Sequence, residues 1–185
     1  FYESETEEPM TEPIDTGIPI ADQIRAACAA VAEQAKIVHL QRERIPSYAA
    51  ALPLEQIRHP EHDPRSHYLG HGEGTVAFFL TLDAINFGSG YFPHLRKRAG
   101  MSGYFTIASR LNDRYREHGP FSALQLTQLT PADCAWIFHQ DPDDATVREL
   151  MQLFARALND LGQYLLDAFG GSFSDLIRAA GGSAV

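Results

Sequence analysis

Between Ala145 and Phe169 the chain carries one unbroken apolar stripe. Val147, Leu150, Met151, Phe154, Leu158, Leu161 and Leu165 follow i, i+3, i+4, i+7 spacing, which fits a helix and excludes a strand. Asp141-Pro-Asp-Asp144 opens this helix, and Gly170-Gly171 ends it in the left-handed manner. So long a helix with one oily face must bury that face against other elements. Strand-like alternation is absent elsewhere, and no internal repeat occurs, so the partners are also helices. Ile24, Cys28, Val31, Ala35 and Val38 predict a helix from about Pro19 to Arg42. Ser102 to Glu117 reads as another, with Phe105, Ala108, Leu111 and Tyr115 as its core stripe. Thr130-Pro131-Ala132-Asp133 is a strong start signal for a short helix carrying Trp136 and ending near Gln140. Ser172 to Ala180 predicts a last one, stopping at Gly181-Gly182. Residues 44–73 are punctuated by proline and glycine and read as irregular, with one helical turn at Leu54 to Arg58. The expected fold is all-α.

Length and charge narrow the function. At 185 residues the chain suits one well-buried domain. Residues 1–18 read as a disordered or extraneous N-terminal segment, with Met10 a natural start, and 19–185 as the helical domain. Residues 1–15 hold six acids and no base, so of the net charge of −9 only −3 belongs to the remainder. A domain that grips a nucleic-acid backbone needs a dense basic face, so intact nucleic acid is an unsuitable partner. The basic cluster Arg96-Lys97-Arg98 reads as a solvated loop edge, with a phosphate monoester as the alternative guest. No apolar run reaches the roughly 20 residues of a membrane span. Cys28 and Cys134 read as small buried apolar residues of a reducing compartment, so the cytoplasm is expected.

Polar chemistry concentrates in Thr81-Leu-Asp-Ala-Ile-Asn-Phe-Gly-Ser-Gly-Tyr-Phe-Pro93. From Thr75 the preceding run is apolar nearly all round, so its helix is expected to be buried on most sides. Asp83 and Asn86, three apart, project from one helical face, and Gly88-Ser89-Gly90 breaks the helix and presents Tyr91 and Phe92. A carboxylate in such a setting meets either backbone donors or a ligand. In the structural alternative Asp83 caps another helix and Asn86 satisfies the break. In the functional one these groups, beside aromatics, line a pocket for a flat polar heterocycle. The eight histidines offer less. His59-Pro-Glu-His62-Asp63 and His67-x-x-x-His71-x-Glu73 lack the spacing of a zinc hydrolase and read as a solvated loop, so no metal site is assigned. Neither cysteine neighbours a histidine, and no Gly-x-Ser-x-Gly elbow occurs.

Three blocks, Thr81 to Pro93, Ser102-Gly-Tyr-Phe105 and Leu161-GQYLLDAFGGSF-Phe173, resemble the queuosine-salvage family of queuosine 5'-phosphate N-glycosylases. Asn112, inside the helix after Ser-Gly-Tyr, fits the same layout, and the resemblance covers roughly residues 20–185. It implies a helical, DNA-glycosylase-like domain that hydrolyses the N-glycosidic bond of queuosine 5'-monophosphate and releases queuine for tRNA modification. No cofactor is implied. The partners implied are that nucleotide and queuine, with no membrane. Family members run on past Gly181-Gly182 into a Lys-Arg-Ala-Gln-type helix followed by an acid associated with catalysis. The expectation is therefore that residues 19–185 form the N-terminal portion of the family unit, incomplete at the C-terminus, with no catalytic residue assigned. The expected substrate-binding residues are Asp83, Asn86, Phe87, Tyr91 and Tyr104: Asp83 reads the guanine-like edge with Asn86 beside it, and Phe87, Tyr91 or Tyr104 stacks on the ring. The competing reading is a non-enzymatic helical binding or adaptor module.

Overall fold

A computed structural model describes residues 19–53 and 62–181. Among them every regular element is helical and no strand occurs, as the periodicity predicts. Two compact units divide the chain, one up to His59 and one from Pro60 to Ala184.

In the first unit, α1 spans Pro19–Gln34, a 3₁₀ turn spans Arg42–Arg44 and α2 spans Ile45–Ala50. Helix α1 stops at Gln34 and not at Arg42, short of the β-branched pair Ile37-Val38. It buries no residue, so Cys28 is exposed, against expectation. Periodicity shows which side chains share a face and says nothing about what covers it. Helix α2 falls where an irregular chain was expected; Pro46 in its first turn is the local start signal. The turn expected at Leu54 to Arg58 lies outside the described residues.

The second unit contains α3 (Glu73–Ala84), a 3₁₀ turn (Phe92–His94), α4 (Gly103–His118), α5 (Ala123–Leu126), α6 (Pro131–Phe138), α7 (Ala145–Phe169) and α8 (Phe173–Ala179). Helix α7 is its spine. Asp144 Oδ1 starts it by accepting from the amides of Thr146 (2.9 Å) and Val147 (3.1 Å). Its stripe then buries Val147, Leu150, Met151, Phe154, Leu158 and Leu165 against α3, α5, α6 and α8. Each fully buried Leu or Phe is worth about 1.5–3 kcal/mol. Helix α5, too short for a periodic signal, is seated on α7 by two residues. Asn159 Nδ2 donates to the carbonyls of Leu126 (2.7 Å) and Leu129 (3.1 Å), satisfying the end of α5. Gly162 makes the approach possible, since a Cβ there would lie 2.6 Å from the Ala123 carbonyl oxygen.

Helices α3 and α4 cross at a buried polar contact. The Tyr115 hydroxyl donates to the Ala77 carbonyl (3.2 Å) and lies 2.9 Å from Thr81 Oγ1. Burial pushes the Tyr115 phenol up to about 12. As expected, α3 is covered on most sides, leaving Glu73 and Asp83 exposed. It ends earlier than expected. The Ile85 amide turns back to Leu82 (3.2 Å) with φ −111°, so Asn86 lies beyond the helix and not on its face. Phe105, expected in the core, is 42% exposed because the stripe of α4 becomes buried only after its first turn. Among the described residues no helix is long and apolar enough to cross a membrane.

Candidate ligand-binding site

Three segments of the second unit converge at one end of α3 and α4. The last turn of α3 supplies Asp83. The start of α4 supplies Tyr104, and the local sequence explains how. Ser102 Oγ accepts from the Phe105 amide (3.3 Å) and starts the helix. Gly103 then lets Phe92 close in, since a Cβ would lie 2.6 Å from Phe92 Cβ. The Ser-Gly-Tyr block is thus packed onto the tail of the Thr81 to Pro93 block.

The third segment is the turn before α3. The Asp63 carbonyl accepts from the amides of Ser66 (2.9 Å) and His67 (2.8 Å). The Pro64 carbonyl accepts from Asn112 Nδ2 (3.0 Å) and Arg116 Nη2 (2.8 Å), and Arg116 Nε donates back to Asn112 Oδ1 (3.1 Å). Helix α4 therefore clamps this turn, and His67 is driven inward to 8% exposure. Its ring sits among Phe79 (5.6 Å between centroids), Phe78 (6.4 Å), Tyr104 and Phe105 (6.5 Å each) and His62 (5.4 Å). Its Nε2 lies 3.4 Å from the Tyr104 hydroxyl, while Nδ1 is buried with no partner. This corrects the reading of the loop histidines as solvated. His62 and His71 are exposed, but His67 is not. The burying force comes from Asn112 and Arg116, distant in sequence, and no local signal announces it.

Burial and neighbouring charge shift the titratable groups of this cluster from their ordinary values. The Asp83 side chain is exposed overall, yet no hydrogen bond or ion pair engages it among the described residues, and crowding on its protein side raises its pKa above the ordinary carboxylate value. Among the described residues no main-chain amide donates to its carboxylate. Tyr104 is raised too, first by burial and then by the charge of Asp83. His67 is lowered by burial and by the neighbouring His62, with Asp63 acting in the opposite sense.

The five expected residues do not form one wall. Asp83 and Tyr104 come together, and Asn86 follows Asp83 closely, its amide donating to the Asp83 carbonyl (3.1 Å). Phe87 and Tyr91 instead pack along α7. The Phe87 ring meets Phe154 edge-on at 5.6 Å, and the Tyr91 hydroxyl donates to Glu149, which raises its pKa. The basic cluster is largely occupied: Arg98 pairs with Asp113, and Arg96 lies 3.7 Å from Asp141. What remains at Asp83 and Tyr104 is a free anionic acceptor beside a phenol, backed by aromatic rings. Such a group of side chains suits a planar guest rich in N–H donors.

The family model described as queuosine salvage protein matches residues 66–185. A curated relative from Sphaerobacter thermophilus, named queuosine 5'-phosphate N-glycosylase/hydrolase, is 32% identical over 159 residues, covering 84% of this chain and 48% of the relative. The chain spans about half the length of that relative. With its blocks, its helical fold and both similarities in agreement, the chain belongs to the queuosine salvage protein family.

Proposed function

We propose that the chain takes part in hydrolysing the N-glycosidic bond of queuosine 5'-monophosphate, releasing queuine for tRNA modification, and that it supplies the surface that reads the base. The single observation that carries this reading is the Asp83 carboxylate, unpartnered among the described residues, with raised pKa and near enough for its charge to act on Tyr104. A carboxylate there accepts from the ring N–H and exocyclic amine of a guanine-like edge. Its charge also suits the secondary ammonium on the cyclopentenyl arm of queuine. Tyr104 adds a hydroxyl and a ring face, Asn86 offers an amide beside Asp83, and Phe87 and Tyr91 are the further aromatic surface available for stacking.

The leaving base has carbon in place of purine N7, so protonation at that position cannot assist departure. Bond breaking must then lean on stabilising the positive charge that builds on the sugar and on hydrogen bonds to the base. The described residues supply the second of these. No residue of this chain is assigned the hydrolytic step.

Calorimetric titration with queuine tests the reading. The wild-type protein binds, and Asp83→Asn weakens binding by about 2 kcal/mol or more, because a charge-assisted pair becomes a neutral one. An Asp83→Asn variant that binds as wild type does removes Asp83 from the site. Incubation with queuosine 5'-monophosphate, followed by chromatographic detection of free base, tests the activity. A protein that neither binds queuine nor releases it is an adaptor.

A further inference from the structure

We propose that His67 is a positioning residue: its Nε2–H fixes the Tyr104 hydroxyl so that the hydroxyl hydrogen points toward Asp83 and the base bound there. This rests on the reading of Asp83 as the base reader, and adds a residue that the sequence motifs leave out.

The argument starts from burial. His67 lies in a turn rich in proline and glycine, yet it is more than nine-tenths buried. Five aromatic or imidazole rings surround it, from the turn itself (His62), α3 (Phe78, Phe79) and α4 (Tyr104, Phe105). A charged imidazolium is disfavoured in such a place, so the ring is neutral, with one donor nitrogen and one acceptor. Nδ1 has no partner, and Nε2 has only the Tyr104 hydroxyl at 3.4 Å. Two tautomers are available. With hydrogen on Nδ1, a buried N–H is left unsatisfied and the Tyr104 hydrogen is consumed by Nε2. With hydrogen on Nε2, the orphan atom is only a lone pair, and Tyr104 accepts from His67 while keeping its own hydrogen to donate. The charge of Asp83 selects the second arrangement, because a phenol O–H aimed at a carboxylate is stabilised by it. The chain of donors then runs from His67 to Tyr104 to the carboxylate side of the site. At 3.4 Å the first link is long, as such contacts commonly are before a ligand tightens them.

The charged and titratable groups facing His67 are His62 and Asp63 from its own turn and Tyr104 from α4. Neither His62 nor Asp63 supplies a hydrogen bond to the ring among the described residues. Among the described residues the Tyr104 hydroxyl is thus the hydrogen-bond partner through which the His67 ring acts.

Two measurements on the full-length protein test this. Nitrogen NMR of wild-type His67 reads the tautomer directly, with no variant and no ligand. A ring protonated on Nε2 alone at neutral pH is expected; a ring protonated on Nδ1, or charged, overturns the proposal. The second measurement is queuine affinity by calorimetry in a cycle of His67→Phe, Tyr104→Phe and the double variant. His67→Phe keeps the ring packing and is expected to lose about tenfold in affinity, the loss of one hydrogen bond in a partly buried site. The double variant is expected to lose no more than Tyr104→Phe alone. His67→Gln, which restores an N–H near the position of Nε2, is expected to recover most of the loss. Additive losses, or a His67→Phe protein with wild-type affinity and pH dependence, overturn the positioning role. If Asp83→Asn fails to weaken binding, the reading of the base site falls, and the tautomer result alone then decides the role of His67.

Discussion

Replacing Gly162 by alanine tests the packing that seats α5 on the spine of the fold. A Cβ at this position would lie 2.6 Å from the Ala123 carbonyl oxygen, 2.8 Å from Leu126 Cβ and 2.9 Å from the Thr127 amide nitrogen. Two of these three atoms are main chain, so no rotamer change relieves the clash. Helix α5 must retreat by roughly 0.7–1 Å to reach ordinary contact distances. That movement stretches the Asn159 bonds to Leu126 and Leu129, now 2.7 and 3.1 Å. Overpacking costs about 1–3 kcal/mol, and weakening two hydrogen bonds adds about 1 kcal/mol. Alanine returns about 1 kcal/mol through its better helix propensity. The net expectation is a loss of about 1–3 kcal/mol, or a fall in Tm of roughly 3–9 °C for a chain of this size. Thermal unfolding followed by circular dichroism reads it. Combining Gly162→Ala with Asn159→Ala should give less than the sum of the two single losses, since both act on one interface. A Gly162→Ala protein as stable as wild type, or more stable, would refute the close seating of α5.

Other measurements probe the site and its supports. Queuine affinity should hold at neutral and higher pH and fall as pH drops through the raised pKa of Asp83, at a higher pH than an ordinary carboxylate would show; Asp83→Asn should erase that limb of the calorimetric pH profile. Tyr115 has an ordinary value of 10.0 raised to about 12, so its contribution is complete below pH 10 and is lost as pH rises toward 12. Stability by urea titration should therefore decline by about 1.4 kcal/mol per pH unit across that window, a slope that Tyr115→Phe removes while costing about 1–2 kcal/mol near neutrality. Asn112→Ala should release the clamp on Pro64 and speed hydrogen exchange at the Ser66 and His67 amides, leaving the α7 core protected. Unchanged exchange at those two amides would show that the clamp does not hold the turn.

Much of this architecture was legible in residue order. The stripe of α7, the caps at Ser102, Thr130 and Ser172 and the apolar run of α3 each carry their own signal within a few residues. Helix α5 was not legible from periodicity, because four residues complete barely one turn; its only local mark is the reciprocal cap between Ser122 and Gln125. Asp83 drew attention as a polar group in an oily run, and Tyr104 through the Ser-Gly-Tyr block. The burial of His67 was missed because a histidine among prolines and glycines looks exposed until Asn112, 45 positions later, is seen to grip its turn. Phe87 and Tyr91 share a motif with Asp83 but turn toward α7, while Asn86 stays close to Asp83 just past the early end of α3. Order along the chain reveals which groups are unusual; contacts between distant segments decide which of them meet.

Asp83 occupies the final turn of α3, at the carbonyl end of the helix. The aligned peptide dipoles place about half a negative charge there, adding to the carboxylate instead of offsetting it. An electron-rich visitor is therefore repelled twice over, and a proton-rich or positively charged one is drawn in by both sources. On the proposed reading, this helix end favours the cationic arm and amine edge of the base over an anionic tail.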